Sequence, residues 1–301
     1  MKKIIFICAG GIGNIIQATP TIKKLSEKYI IDLKLECNSS NDVKEIFSLP
    51  KIRNIVKDVI DTYDYQLNGP FTSGAKYCEK VIRSRINYAQ HVPECEVYND
   101  LAVQIGCNDT IGNSVICIPK SGYDPPKNSV IIYPGSKHNW AMKRWDKYDQ
   151  LSHVLKNYKH VIVVGTERDV TSHGDPAWIK KPWEWADEVE FFQGTLSETA
   201  YVISKCDFFI GNDGGIAHLS GATGIPTFVL FGPSSDIKNK PKSDNAHVIA
   251  MNLPCRPCQF KKKDGKLIFN GDIGNCYNNM KCMKDMSVEY IIRELKKHIA
   301  L

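Results

Sequence analysis

The feature that most constrains this chain is an apolar, β-prone run that ends on glycine and passes at once into a helix-compatible segment. It reads Phe208-Phe209-Ile210-Gly211-Asn212-Asp213-Gly214-Gly215-Ile216-Ala217-His218-Leu219. A strand breaking on glycines into a helix offers unsatisfied backbone N–H groups and the positive end of a dipole to an anion. Asp213 falls at the junction, where its carboxylate can cap the helix or hold a ligand hydroxyl. An ordinary βα turn with glycines supplying positive φ accounts for the same residues. A second strand then runs from Gly224-Ile225-Pro226 to a Gly232-Pro233 turn. Two successive strands with glycine loops at their carboxyl ends resemble the rim of a ligand crevice in an open α/β sheet.

The rest of the chain repeats the theme. Residues 3–8 read as a buried strand, Gly10-Gly11-Ile12-Gly13-Asn14 as its exit loop, and 15–28 as a helix interrupted near Thr19-Pro20. Strands follow at 30–37, 55–56, 65–67 and 115–118, with a helix through 43–47 and helical pieces between 75 and 104. Residues 119–128, rich in proline, read as a linker. The pattern restarts with a strand at 130–133, a helix at 146–155 and a strand at 160–164. Thr195-x-x-Glu198 has capping-box spacing, and 287–298 reads as an amphipathic closing helix. This alternation predicts an α/β protein with parallel sheets in two domains.

The apolar and charged fractions, 43% and 24%, are those of a globular protein. No apolar run approaches the about 20 residues of a membrane span, and the Lys-rich start is read as a strand, so a cytoplasmic protein is expected. The net charge of +6 is concentrated late, with 13 Lys/Arg against 6 Asp/Glu from Lys238 onward. That basic region suits a solvated surface or a peripheral contact with an anionic membrane face; nothing in the pattern suits nucleic acid.

Several residues carry candidate chemistry. Gly11 and Gly13 follow the first strand, but Ile16 stands where a dinucleotide fingerprint needs its third glycine, so a nicotinamide-dependent oxidoreductase is a poor fit. Gly135 and Ser136, with Lys143 and Arg144, put N–H, O–H and cationic donors beyond a strand end, as a diphosphate requires. Glu167 lies in the next exit loop, where a carboxylate can accept from ribose hydroxyls or be a plain surface charge. His218 is placed on the first helical turn after Asp213, as a packed residue or phosphate contact. Cys255, Cys258, Cys276 and Cys282 form a Cys-x₂-Cys, x₁₇, Cys-x₅-Cys cluster. Such a set suits structural zinc or iron, or four reduced thiols, and residues 266–269 suggest a hairpin between the pairs.

Together these residues resemble glycosyltransferase family nine, the ADP-heptose:lipopolysaccharide heptosyltransferases. The resemblance runs through Gly11-Ile-Gly-Asn-Ile-Ile-Gln-Ala-Thr-Pro20, Pro134-Gly-Ser with Lys143-Arg-Trp145, and Gly211-Asn-Asp-Gly-Gly-x-x-His218 with Gly224-x-Pro-Thr and Phe231-Gly-Pro. It implies the GT-B architecture, two Rossmann-like parallel-sheet domains facing a central cleft. Residues 1–124 would be the acceptor-side domain and 125–286 the nucleotide-sugar domain with a Cys-rich insert at 255–282. The helix at 287–301 would be a candidate to pack back on the first domain.

The resemblance also implies an inverting transfer of heptose from ADP-heptose to a lipopolysaccharide-core or other glycan, without a catalytic metal. Lys143 would neutralise the donor phosphates, aided by Gly214 and Gly215 N–H groups. Glu167 would hold the ribose, Asp213 the sugar or phosphate end, and Gly11, Gly13, Gly135, Ser136, Arg144, Asn212 and His218 would line the donor site. One departure stands out: Asn14 occupies the position of the family's general-base aspartate. An amide can orient a hydroxyl but cannot take its proton near neutral pH. Asp61, Asp64 or the donor phosphate are the candidate replacements, and a catalytically impaired nucleotide-sugar-binding protein is the alternative.

Overall fold

The computed structural model describes residues 1–36, 41–137, 140–166, 185, 189–268, 276 and 278–301. Two parallel sheets carry it. The first contains β1 (Lys3–Ala9), β2 (Ile30–Glu36), β3 (Ile52–Val56), β4 (Tyr65–Asn68) and β5 (Val81–Arg83), ordered β3-β2-β1-β4-β5. The second contains β6 (Ser129–Tyr133), β7 (His160–Val164), β8 (Glu190–Phe192), β9 (Phe208–Asn212), β10 (Thr227–Leu230) and β11 (Ala246–Ile249), ordered β11-β10-β9-β6-β7-β8. In each sheet the chain starts at the middle, winds out one way, then returns and winds out the other. This is the doubly wound order, with crevices where the direction reverses, at β1/β4 and at β6/β9.

The central strands β6 and β9 are buried along their whole length, as parallel strands covered on both faces must be. The helices are α1 (Ile12–Leu25), α2 (Asn41–Phe47), α3 (Glu94–Val103), α4 (Tyr148–Leu155), α5 (Leu196–Ser204), α6 (Gly215–Thr223), α7 (Asp236–Asn239), α8 (Lys281–Lys284) and α9 (Val288–Leu295). The Thr195 capping box forms as its spacing predicts, the side chain accepting from Glu198 N while Glu198 accepts from Thr195 N. Gly224 ends α6 in the left-handed conformation, φ 89°.

Three local expectations give way. Pro20 does not interrupt α1: the Thr19 hydroxyl donates to Ile16 O at 2.7 Å, filling the acceptor that Pro20, lacking an N–H, leaves open. Residues 115–118 form no strand, because their backbone bonds elsewhere; Val115 N donates to Thr19 Oγ1 at 2.9 Å and Cys117 N to Ile46 O at 2.8 Å. Between 75 and 92 the chain is loop around β5, and helix begins only after Pro93.

The closing helix packs on the second sheet. Ile291 and Leu295 join a buried cluster with Val130, Ile132, Phe208 and Phe228, and Trp145 Nε1 donates to Met286 O at 2.9 Å. A two-stranded hairpin, β12 (Lys262–Lys263) with β13 (Lys266–Leu267), forms near the predicted place.

Candidate active site

The two crevices face each other across the molecule. α1 starts directly beyond β1, α6 directly beyond β9, and their first turns abut. A Cβ on Gly215 would stand 2.2 Å from Ile12 Cγ2, and one on Gly13 would stand 2.7 Å from His218 Cδ2. Gly13 and Gly215 therefore serve the close approach of two helix starts, a use that a sequence-level ligand assignment does not distinguish.

On the second domain's side, Lys143 closes a short 3₁₀ turn, Ala141–Lys143, and its Nζ lies 2.7 Å from Asp213 Oδ2. Both side chains are largely enclosed, and the ammonium also sits over the Trp140 ring, 4.8 Å from its centroid. Asn239 Nδ2 approaches the same Asp213 oxygen at 3.5 Å and donates to Gln259 Oε1 at 3.0 Å; Gln259 in turn accepts from Ser235 N. The Cys-rich insert is thus tied to Asp213 through Gln259 and Asn239. Lys143 and Asp213, assigned separately from the sequence, meet as one unit beside the first turn of α6.

Other predicted donor residues hold the site together from behind. Asn212 is fully buried and uses its whole amide: Nδ2 donates to Pro134 O at 2.6 Å and Gly135 O at 3.2 Å, while Oδ1 accepts from Trp145 N at 3.2 Å and Tyr148 OH at 3.0 Å. It clamps the β6 exit loop to the end of β9. Arg144 and Ser136 are likewise fully buried; Arg144 Nε donates to Ser136 Oγ at 3.1 Å, which donates to Trp140 O at 3.0 Å. They shape the loop from inside, and in this structure the polar atoms of Asn212, Ser136 and Arg144 named here are engaged within the protein. Burial lowers the His218 imidazole to about 4, the Asp213 charge opposing and the Lys143 charge adding to the shift, so the ring is neutral at pH 7. Glu167 lies outside the described residues.

On the first domain's side, Asn14 is held from both ends. Its Oδ1 accepts from Gly11 N at 2.8 Å; its Nδ2 donates to Glu94 Oε1 at 2.5 Å and to Tyr88 OH at 3.2 Å. Tyr88 OH donates to the second carboxylate oxygen of Glu94 at 2.8 Å. Lys238, from α7 of the other domain, is fully buried with its Nζ 3.5 Å from the centroid of the Tyr88 ring. That ammonium has no hydrogen-bond partner among the described residues. Burial pushes the Glu94 carboxyl above its ordinary range, while the Asn14 hydrogen bond, the Lys238 charge and the Tyr88 hydroxyl pull it back and the Asp213 charge adds to the rise. Sequence reasoning misses this group because an acidic residue right after Pro93 reads as ordinary compensation of the helix dipole.

The carboxylates proposed from sequence to replace the base stand elsewhere. Asp61 pairs with Lys3 and Arg53, both at 2.8 Å, and Asp64 accepts from Lys3 N at 2.8 Å, at the amino ends of β1 and β4. Asn14 lies beyond the carboxyl end of β1, so neither can serve it. The hydrogen bonds from Lys3 and Arg53 hold the Asp61 carboxyl well below the usual range.

The four late cysteines are all free thiols. Met280 N donates to Cys276 Sγ at 3.3 Å and Asn278 Nδ2 to Cys255 Sγ at 3.5 Å. Burial first, then the neighbouring thiols, pushes Cys258 up to about 11 and Cys282 to about 12. The four sit within electrostatic reach of one another, yet among the described residues no three His, Cys, Asp or Glu side chains stand at metal-holding spacing. The donor set suits a soft metal and the present spacing does not.

Two doubly wound domains meeting at a cation-and-glycine crevice make up the GT-B architecture. The profile of "Glycosyltransferase family 9 (heptosyltransferase)" matches residues 117–268, and the chain belongs to that family. It is 34% identical over 104 residues to lipooligosaccharide heptosyltransferase 2 of Campylobacter jejuni serotype O:6. That match covers 34% of this chain and 29% of the relative's length. Among solved structures, the ADP-heptose lipopolysaccharide heptosyltransferase II of Escherichia coli superposes with a TM-score of 0.66 at 16% identity, over 99% of this chain and 98% of that one. The iron-containing dodecameric glycosyltransferase TibC of enterotoxigenic E. coli gives 0.71 at 16% identity, over 98% and 78%.

Proposed function

We propose that this chain is an inverting glycosyltransferase that moves a heptose from ADP-heptose onto a glycan of the lipopolysaccharide-core kind. The observation that carries the reading is the Lys143–Asp213 pair at 2.7 Å beside the start of α6. Lys143 takes the charge that builds on the diphosphate as the bond to the sugar breaks, and the N–H groups of Gly214 and Gly215 add fixed donors. Asp213 orients Lys143 and receives a sugar hydroxyl; Glu167 holds the ribose. Residues 1–124 then present the acceptor and 125–286 the donor. The chemistry calls on no metal, because fixed dipoles and one ammonium stabilise the leaving group. The basic late region gives the enzyme a means of resting on an anionic membrane surface, where such acceptors are made; among the described residues no helix is long and apolar enough to cross one.

The test is ADP release from ADP-heptose with a panel of glycan acceptors, with Lys143→Ala alongside. Turnover that falls by about 10²-fold or more in the variant supports the reading. Donor binding with no turnover on any acceptor would instead favour a nucleotide-sugar-binding protein, the reading that Asn14 invites.

For the four-cysteine cluster two states are open, four reduced thiols spaced as they stand here, or a structural zinc or iron ion that draws its soft, all-sulfur donors together. The service of such an ion would be to brace Gln259 and, through Asn239, Asp213. Metal analysis of the purified protein decides this: substoichiometric metal and a melting temperature indifferent to chelator leave four reduced thiols.

A further inference from the structure

The family's base position holds an amide, yet a carboxylate lies one hydrogen bond away from it. Glu94 is only 2% exposed, and both of its oxygens are engaged from the cleft side, Oε1 by Asn14 Nδ2 at 2.5 Å and Oε2 by Tyr88 OH at 2.8 Å. Burying a carboxyl group is costly, and proteins that do so merely for packing place a strong partner on it. Here the nearest cation, Lys238, makes no hydrogen bond to it and lies instead against the face of Tyr88. The half-buried Asn14 and Tyr88 form the outer layer, Glu94 the inner one. Phe71, 60% exposed, stands edge-on to Tyr88 with centroids 4.6 Å apart, marking the open side from which a sugar would approach.

We propose that Glu94 is the proton acceptor of the transfer reaction, reached through the Tyr88 hydroxyl, and that Asn14 orients this pair in place of the missing aspartate. The proposal rests on the transferase reading above. As the acceptor oxygen bonds to the anomeric carbon, the bond from that carbon to the diphosphate oxygen breaks and its electron pair leaves with ADP. The acceptor's proton passes to Tyr88 Oη while the Tyr88 proton passes to Glu94 Oε2, so the step ends with ADP, a new glycosidic bond and a neutral Glu94. Tyr88 is thereby returned to its starting state and Glu94 discharges its proton to solvent once product leaves.

The groups facing Glu94 are Asn14 from α1, Tyr88 from the loop before α3, Tyr98 from α3 itself, Lys238 from α7 and Asp213 from the end of β9. Their balance leaves the carboxyl raised above its ordinary range, burial being the largest cause. A carboxyl raised in this way holds the proton it receives more firmly than a free glutamate does.

Three single variants and one double variant test this, each compared by ADP release, donor KM and pH profile. Glu94→Gln keeps the shape and can still accept from Asn14; it is expected to lower kcat by about 10²- to 10⁴-fold with donor KM unchanged. Its acid limb in kcat/KM should vanish. Tyr88→Phe should lose most of the same factor. Asn14→Asp alone sets two carboxyl groups 2.5 Å apart, only one of which can ionise, and is expected to bring no gain; combined with Glu94→Gln it should restore activity at least tenfold over Glu94→Gln. Glu94→Gln turning over within threefold of the parent, with the acid limb intact, overturns the assignment, and unimpaired Tyr88→Phe overturns the relay. A parent protein that binds donor and transfers to nothing overturns the transferase reading itself, and this proposal with it.

Discussion

Gly13 and His218 come from opposite domains and touch: a Cβ at Gly13 would lie 2.7 Å from the imidazole Cδ2. The imidazole is buried and neutral, so the contact is one of shape, and it sets how close the starts of α1 and α6 can come.

Gly13→Ala should therefore destabilise the protein, although alanine is the better helix former by about 1 kcal/mol. Overpacking costs about 1–3 kcal/mol and wins here because His218 has little room to yield. Denaturant melts of Gly13→Ala and of Gly13→Ala/His218→Ala check this; the second change should recover most of what the first loses.

Lys143→Met should abolish stabilisation by ADP and leave Asp213 enclosed without its cation. Removing one member of a well-buried pair costs about 3–5 kcal/mol, and the slight exposure of Lys143 puts the expected loss below that range. Lys143→Met/Asp213→Asn should regain stability yet remain inactive. Thermal melts with and without ADP, run beside turnover assays, separate the two effects.

Asn212→Ala should cost about 2–4 kcal/mol, more than an average buried polar change, since two carbonyls, one N–H and one hydroxyl lose their partner together. The β6 exit loop would come loose, so Lys143 would lose its place and turnover would fall with stability. Urea unfolding and a kcat measurement on the same preparation check both.

Lys238→Met addresses pH. The Lys238 charge holds the Glu94 carboxyl down, so its removal lets that group rise further above its ordinary value. A base with a raised pKa is active only above it, so the acid limb of kcat/KM should move to higher pH. Stability near neutrality should not suffer, because burial already disfavours the ammonium and methionine fills a similar volume. A pH–rate profile from pH 4 to 9 reads the shift directly.

Much of the architecture was written in strand ends. Glycines after β1, β6 and β9 announced the crevices, and the Lys143–Asp213 pairing follows from two loops both leaving carboxyl ends at one switch point. What stayed hidden depends on partners distant in sequence. Residues 115–118 are as apolar as a strand, but Thr19 and Ile46 take their backbone donors. Asn212 is indistinguishable by sequence from a ligand-binding amide until its four partners surround it. Glu94 looks like a helix-start acid, and only the approach of Asn14, Tyr88 and Lys238 gives it another meaning.

One apolar cluster runs without a break from Ile4, Phe6 and Leu33 of the first sheet to Ile131, Ile162 and Phe209 of the second. Halves joined that way do not melt independently, so a fragment severed at residue 124 would bare the greasy underside of α1 and clump rather than fold. Thermal unfolding of the intact chain is therefore expected as a single cooperative event, which calorimetry would check, and a closing motion would be expected to pivot about this weld instead of parting it.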